Sequence, residues 1–248
     1  MSNALGLLPG VYEEYVRERL AAAGGKEVES GKFQSPDSSA ALAVNAFAWF
    51  HSQPALLPLF PGTQVAGWPA TGVEVEYCVR FPWSGGRHPW LDASVETDTH
   101  IIGVESKRHE PFRDSKSAKL SDAYDRPVWG KRMGPFEALC KKLRARTKIF
   151  AHLDAAQLVK HAFGLVTEAR RKKPKQAILV YLYAEPARWP AEAIARHRDE
   201  VAQFASDVSG ASVLFRSVRW RDWIATWTAI HDATVAAHGK RLLERFDV

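Results

Sequence analysis

Seven consecutive apolar residues, Ala177–Tyr183 (AILVYLY), restrict most what this chain can become. Such a run cannot alternate between core and water. It reads as a strand buried on both faces, the pattern of a parallel strand covered by helices on either side. Its neighbours agree. Ala155–Arg171 carries apolar residues at helical spacing, with Asp154 placed to cap it and Gln157 three residues on, as a capping box requires. Pro190–Ser206 reads as a helix, Ser212–Val218 as another strand, and Asp222–Phe246 as one long or two short helices. Strands alternating with helices in this way predict an α/β fold with a central mixed sheet flanked by helices.

The first half is organised differently. Gly10–Ala23 has Val11, Tyr15, Val16 and Leu20 at helical spacing, stopped by Gly24–Gly25. Asp37 or Ser38 can cap a second helix through Ala40–Phe50, apolar nearly all round and so expected to be buried. Pro54, Pro58, Pro61 and Gly62 mark an irregular connection. From Val73 the period becomes two: Val73, Val75, Tyr77 and Val79 alternate with Glu74, Glu76 and Arg80, as on a half-buried strand. Leu91–Glu96 and Ile101–Lys107 are two further strands, joined by a turn at Thr97–His100. Arg108–Met133 has no clear period, and a loop that long in a compact domain is usually functional. A helix is expected at Pro135–Arg146.

The chain has 248 residues, 46% hydrophobic and 25% charged, enough apolar mass for one sizeable core. No Pro- or Gly/Ser-rich linker forces a split, so a single domain over residues 1–248 is expected, its core about 38–220 with helical additions at both ends. Two cysteines, Cys78 and Cys140, give no disulfide framework and make a reducing cytoplasm the default. No stretch is long and apolar enough for a membrane span, and the start lacks an export signal. The net charge of +6 favours phosphate-bearing partners. Basic residues crowd Lys131–Lys148, where Lys141 and Lys142 lie, and Arg170–Lys175; such runs are commonly no more than solvated faces.

The chemistry concentrates in the hairpin Leu91–Lys107. A turn centred on Asp98–Thr99 pairs residues whose numbers sum to a constant, so Glu96 faces Ile101, Ser94 faces Gly103, and Asp92 faces Glu105. Side chains alternate along a strand, which puts Lys107 on the face of Glu105. Two opposed carboxylates repel, with Cβ atoms about 4.5–5.5 Å apart, unless a hard divalent cation joins them. Lys107 could then polarise a water or neutralise a phosphate. Gly103 is expected to leave room for close approach. The bland alternative is a surface hairpin with solvated charges.

The pattern resembles the PD-(D/E)xK nuclease superfamily, the restriction-endonuclease-like fold: an acidic residue on one strand, a short hairpin, then (D/E)xK on the next. Here these are Asp92 in Pro89-Trp90-Leu91-Asp92 and Glu105-Ser106-Lys107 in IIGVESKR, with Leu91 where the family has proline. SSAALAVNAF (Ser38–Phe47), ESKRHEPF (Glu105–Phe112) and QLVKHAFG (Gln157–Gly164) are similar to a restriction-endonuclease-like branch. The resemblance implies Mg²⁺, or Mn²⁺ in its place, held by Asp92, Glu105 and the backbone carbonyl of Ser106. Lys107 would orient the attacking water or stabilise the transition state in hydrolysis of a phosphodiester, DNA before RNA. It also makes auxiliary candidates of Glu76, Glu110, Gln157 and His161, and a phosphate contact of Lys160. Each has an ordinary alternative: exposed strand residue, loop ion pair, helix cap, core histidine, solvated lysine. A homodimer would supply two centres for two strands.

Asp114-Ser115-Lys116 also spells (D/E)xK but follows no strand. HExxH, GxxxxGK[ST] and GxSxG are absent. Trp220, Trp223 and Trp227 recur at helical spacing and read as packing. The rival functions are a catalytically inactive nucleic-acid-binding or interaction module on the same fold, and a hydrolase using paired carboxylates without metal, which would give no reason for the lysine.

Overall fold

The computed structural model describes residues 5–24, 28–114, 116, 119–171, 174–230 and 232–248. A five-stranded mixed sheet runs in the order β1 (Gly72–Cys78), β2 (Trp90–Glu96), β3 (His100–Lys107), β4 (Gln176–Tyr183), β5 (Val213–Arg219). The first three strands form an antiparallel meander, and β3, β4 and β5 are parallel. Helices α1 (Glu13–Ala23), α2 (Ser39–Phe47), α7 (Trp220–Trp227) and α8 (Ala233–Arg245) share one core with the sheet. Helices α4 (Gly134–Arg144), α5 (Ala155–Arg171) and α6 (Ala191–Asp207) share the other. The double coverage explains the AILVYLY run: Ile178, Val180 and Leu182 enter the first core while Ala177, Leu179 and Tyr181 enter the second.

Local chemistry sets the helix ends. Ser38 accepts the N–H of Ala41 at 3.0 Å and caps α2, which gives way to a 3₁₀ turn at Ala48–Phe50. Gly24 closes α1 at φ 68°, while Gly25 lies outside the described residues. Asp154 accepts the N–H of Gln157 at 2.9 Å, the first half of the expected capping box. The carboxylate of Glu200 takes the N–H groups of Ala151, His152 and Leu153 at 2.7–2.9 Å, which fixes the entry to α5. Residues 108–133 are not wholly irregular: α3 (Glu110–Arg113) and a 3₁₀ turn at Asp122–Asp125 punctuate them. The C-terminal segment is two helices, and Trp220, Trp223 and Trp227 are fully buried: Trp223 stacks with Phe47 and Phe60, while Trp220 and Trp227 meet Phe47 and Phe50 edge-on.

Two expectations are corrected. Val73, Val75, Tyr77 and Val79 keep one period in sequence but not one face in space. Val73 and Val75 enter the α2 core; Val79 enters the α5 core, with Tyr77 packed on it. The change falls at Glu76, whose φ of 48° is rare outside glycine. Arg19 on α1 receives the displaced backbone, donating to the carbonyls of Val75 at 3.0 Å and Glu76 at 2.6 Å. Strand β2 turns over with its partner: Ala93 and Val95 lie in the first core and Leu91 in the second. The second correction concerns Gly103. A Cβ there would lie 2.7 Å from Leu91 Cδ1 and 3.2 Å from Leu165 Cδ2, so the glycine makes room for core side chains and not for a ligand.

Candidate active site

The hairpin register is the expected one as far as the ladder runs: Glu96 pairs with Ile101, Ser94 with Gly103 and Ala93 with Val104. It stops one step short of Asp92 and Glu105. There Asp92 Oδ2 instead accepts the N–H of Ser106 at 2.6 Å. The side chain of Asp92 thus stands at the open end of the β2–β3 ladder. Within an extended residue the N–H and C=O lie on the same side of the strand, so the Ser106 carbonyl also faces β2 and Asp92. The Ser106 hydroxyl points to the other layer, where the indole N–H of Trp220 donates to it at 3.3 Å.

Glu105 is 2% exposed and held from two directions. Lys107 Nζ donates to Oε1, and His161 Nε2 of α5 sits 2.9 Å from Oε2. The His161 contact is off the line of a good hydrogen bond, and among the described residues Nδ1 of that ring has no partner. Burial alone would raise the Glu105 carboxyl, but the Lys107 ammonium and His161 beside it bring it down to about 2. Burial would strip the proton from Lys107; Glu105, Asp92 and Glu110 hold it there and raise its pKa above the ordinary lysine range. Asp92 goes the other way. Burial, and then the charge of Glu105, push it well above the usual aspartate value, and Glu76 adds to this.

Glu110 belongs to the same group. Its Oε1 accepts the Ser39 hydroxyl at the start of α2, and its Oε2 accepts the N–H groups of Arg108 at 2.9 Å and His109 at 3.0 Å. Burial raises this carboxyl, but Lys107 and those donors leave it below the ordinary value. Arg108 fixes the end of β3: it donates to Asp247 O at 3.0 Å and to Pro36 O, so the C-terminal tail and the approach to α2 both close on the site.

The structure therefore brings Asp92, Glu105, Lys107, Glu110 and His161 together, with Glu76 near enough to Asp92 to act on its charge. Gln157 is accounted for by its backbone at the cap. Lys160 is half-buried on α5, and Lys141 and Lys142 stand on the exposed side of α4. In the second basic stretch Lys175 is spent within the fold, donating to Glu96 at 3.2 Å and Thr97 O at 2.6 Å; Lys172 and Lys173 lie outside the described residues. Ser115 of the second (D/E)xK triplet also lies outside them. Sequence reasoning missed Ser39, which steadies Glu110, and Tyr181, paired with Glu105 across β3 and β4. The Tyr181 hydroxyl is buried 3.0 Å from His197 Nε2. Its signal was a phenol inside an apolar run, which needs a partner.

Asp92, Glu105 and Glu110 thus act on the one ammonium group, and Glu105 and Glu76 act on Asp92. Such a donor set suits a hard divalent cation, which takes one or two carboxylates and completes its shell with water and phosphate oxygen. Among the described residues no ready-made cluster of three His, Cys, Asp or Glu ligands stands here or elsewhere. The fit is thus to a two-carboxylate, one-carbonyl site and not to a closed structural metal centre. Nor, among those residues, is any helix long and apolar enough to cross a membrane.

No curated protein and no solved structure matches the chain. A family model described as restriction endonuclease associating with ARP matches residues 5–246. The meander, the acidic residue at its second strand and the Glu-Ser-Lys triplet on its third are those of the PD-(D/E)xK superfamily. The chain belongs to the family of restriction endonucleases associating with ARP, and with it to the restriction-endonuclease-like fold.

Proposed function

We propose that this protein is a Mg²⁺-dependent nuclease that hydrolyses phosphodiester bonds, with DNA as its substrate, and that its whole length works as one catalytic domain. The observation that carries the reading is the meeting of Asp92, Glu105 and Lys107 at the open end of the β2–β3 ladder, where the ammonium favours the charge of Glu105 while burial and Glu105 oppose that of Asp92.

Asp92, Glu105 and the Ser106 carbonyl would hold the cation; when bound it lowers the pKa of a water and offsets charge on the scissile phosphate. Burial and the charge of Glu105 oppose the ionised form of Asp92, and a divalent ion between the two carboxylates would relieve that cost. Lys107 keeps its proton over the working pH range, so it serves as a fixed positive charge: it hydrogen-bonds the attacking water or a non-bridging phosphate oxygen and does not act as general base. Glu105 and Glu110 aim that ammonium, and His161 fixes the Glu105 carboxylate from the opposite side. The family description names an association with ARP, and that association belongs to the same proposal for this chain.

Incubation with plasmid, single-stranded DNA and RNA, each with Mg²⁺, Mn²⁺ or EDTA, tests the reading. Removing one preorganised charge of this kind costs about 10²–10³ in rate. Cleavage should fall by at least that factor in Lys107→Ala and vanish in EDTA. Activity that persists undiminished in Lys107→Ala and Asp92→Ala refutes the assignment.

A further inference from the structure

Beyond the acidic centre lies a cleft of about 660 Å³ between the loop that follows β1 and the last turn of α5. Its volume falls in the range of about 300–1,000 Å³ typical of ligand sites. Arg80, Trp83 and His88 line it from the loop, and Thr167, Arg170 and Arg171 from the helix. All three arginines are exposed. Glu168, the carboxylate beside them, accepts from the Tyr77 hydroxyl at 3.1 Å and pairs with Arg171 at 3.4 Å, which offsets one of the three charges and leaves the other two. Among the described residues Arg80 and Arg170 have no carboxylate partner.

The wall is rigid. Trp83 stacks on Phe81 with centroids 4.9 Å apart, meets Trp129 edge-on at 5.3 Å, and carries the Arg126 guanidinium 4.8 Å from its centre. His88 Nδ1 accepts the N–H of Phe81 at 3.1 Å, which puts the ring proton on Nε2 and makes the imidazole a donor. A fixed aromatic wall beside the Arg80 and Arg170 guanidinium groups, which have no carboxylate partner among the described residues, matches a chain that alternates flat rings with anions.

We infer that this cleft is a second binding site for nucleic acid, holding the phosphodiester backbone of a single-stranded segment on Arg80, Arg170 and Arg171 while an unpaired base lies against the Trp83 wall. A concave pocket admits a splayed base, whereas a duplex buries its bases against each other. The site lies on the helix that carries His161 to the catalytic group. Ten residues separate His161 from Arg171, about 15 Å along the helix. At about 3.4 Å per stacked nucleotide that spans roughly four to five nucleotides. One strand can thus occupy the cleft and the acidic centre together. The inference deepens the nuclease reading by naming the form of substrate.

The test measures binding in EDTA, where no cleavage intervenes. Fluorescence anisotropy of labelled single-stranded 12-mers and of a 12-base-pair duplex compares wild type with Arg80→Gln/Arg171→Gln and with Trp83→Ala, and circular dichroism checks that each variant is folded. Single-strand affinity should drop at least tenfold in the double variant. The slope of log K against log salt should fall by about 1.4, two contacts at about 0.7 each, with duplex affinity changed less than twofold. Unchanged single-strand affinity, or an equal loss on duplex, overturns the inference. A Trp83→Ala variant that unfolds leaves the arginine pair to decide. Wild-type cleavage with Mg²⁺ is scored separately: cleavage without a cleft effect sinks the cleft alone, and a cleft effect without cleavage sinks the nuclease reading alone.

Discussion

Replacing Glu105 by glutamine removes one charge from the most heavily buried part of the site and leaves the shape of the side chain unchanged. The folded protein lowers this carboxyl from 4.5 to about 2. One pKa unit is worth about 1.4 kcal/mol, so the ionised form gains about 3 kcal/mol on folding. The group is 2% exposed, so solvent screening does not discount that figure. Breaking a buried ion pair from one side costs about 3–5 kcal/mol, because the Lys107 ammonium is left without its partner. Urea unfolding in EDTA at pH 7 should therefore find Glu105→Gln less stable by about 3 kcal/mol, a fall in melting temperature of roughly 6–12 °C for a chain this long. The folded pKa is the lower one, so the stabilisation is complete above pH 4.5 and is lost as pH falls through about 2. The gap between wild type and variant must therefore narrow between those values. A second substitution, Lys107→Met, should restore part of the loss, since it removes the stranded charge. A gap below about 1 kcal/mol at pH 7, or one that stays constant down to pH 3, refutes the assignment of the ion pair.

Asp92→Asn should have the opposite effect on stability. Burial and the neighbouring Glu105 raise the Asp92 pKa, so its ionised form opposes folding; that penalty is absent below the ordinary value of 3.8 and grows as pH rises toward the folded value. In EDTA at pH 7 the variant should unfold at higher urea than wild type, while cleavage is lost and added Mg²⁺ stabilises wild type only; a destabilised variant contradicts the electrostatics. Gly164→Ala would bring a methyl group to 2.5 Å from Val79 Cγ2 and 3.1 Å from Val79 O, where α5 packs on the residue that follows β1. Overpacking of this kind costs about 1–3 kcal/mol, and a neutral result in thermal unfolding would mean that Val79 does not pack there.

The hairpin was legible because its information is local. A two-residue period and a short turn fix which residue faces which, and Ser94–Gly103 and Glu96–Ile101 follow from arithmetic. The helix carrying His161 was legible from its cap and its spacing. The inversion at Glu76 was not, since hydrophobic residues fall on odd positions before and after it and no glycine marks the left-handed residue. The side chain that holds its carbonyl, Arg19, lies 57 positions away. Gly103 misled for a related reason. A missing side chain in a strand signals close approach, and only the packing says that Leu91 and Leu165 are what approaches.

Arg19 makes the N-terminal helix a brace for chemistry it never touches. The strand reversal it holds carries the end of β1 into the α5 layer, and with it the loop that bears Arg80 and Trp83. The guanidinium clasp on two carbonyls is therefore one of the contacts that place the basic cleft relative to the acidic cluster. The spacing between the proposed cutting point and the proposed strand anchor thus depends in part on the first helix, well outside both.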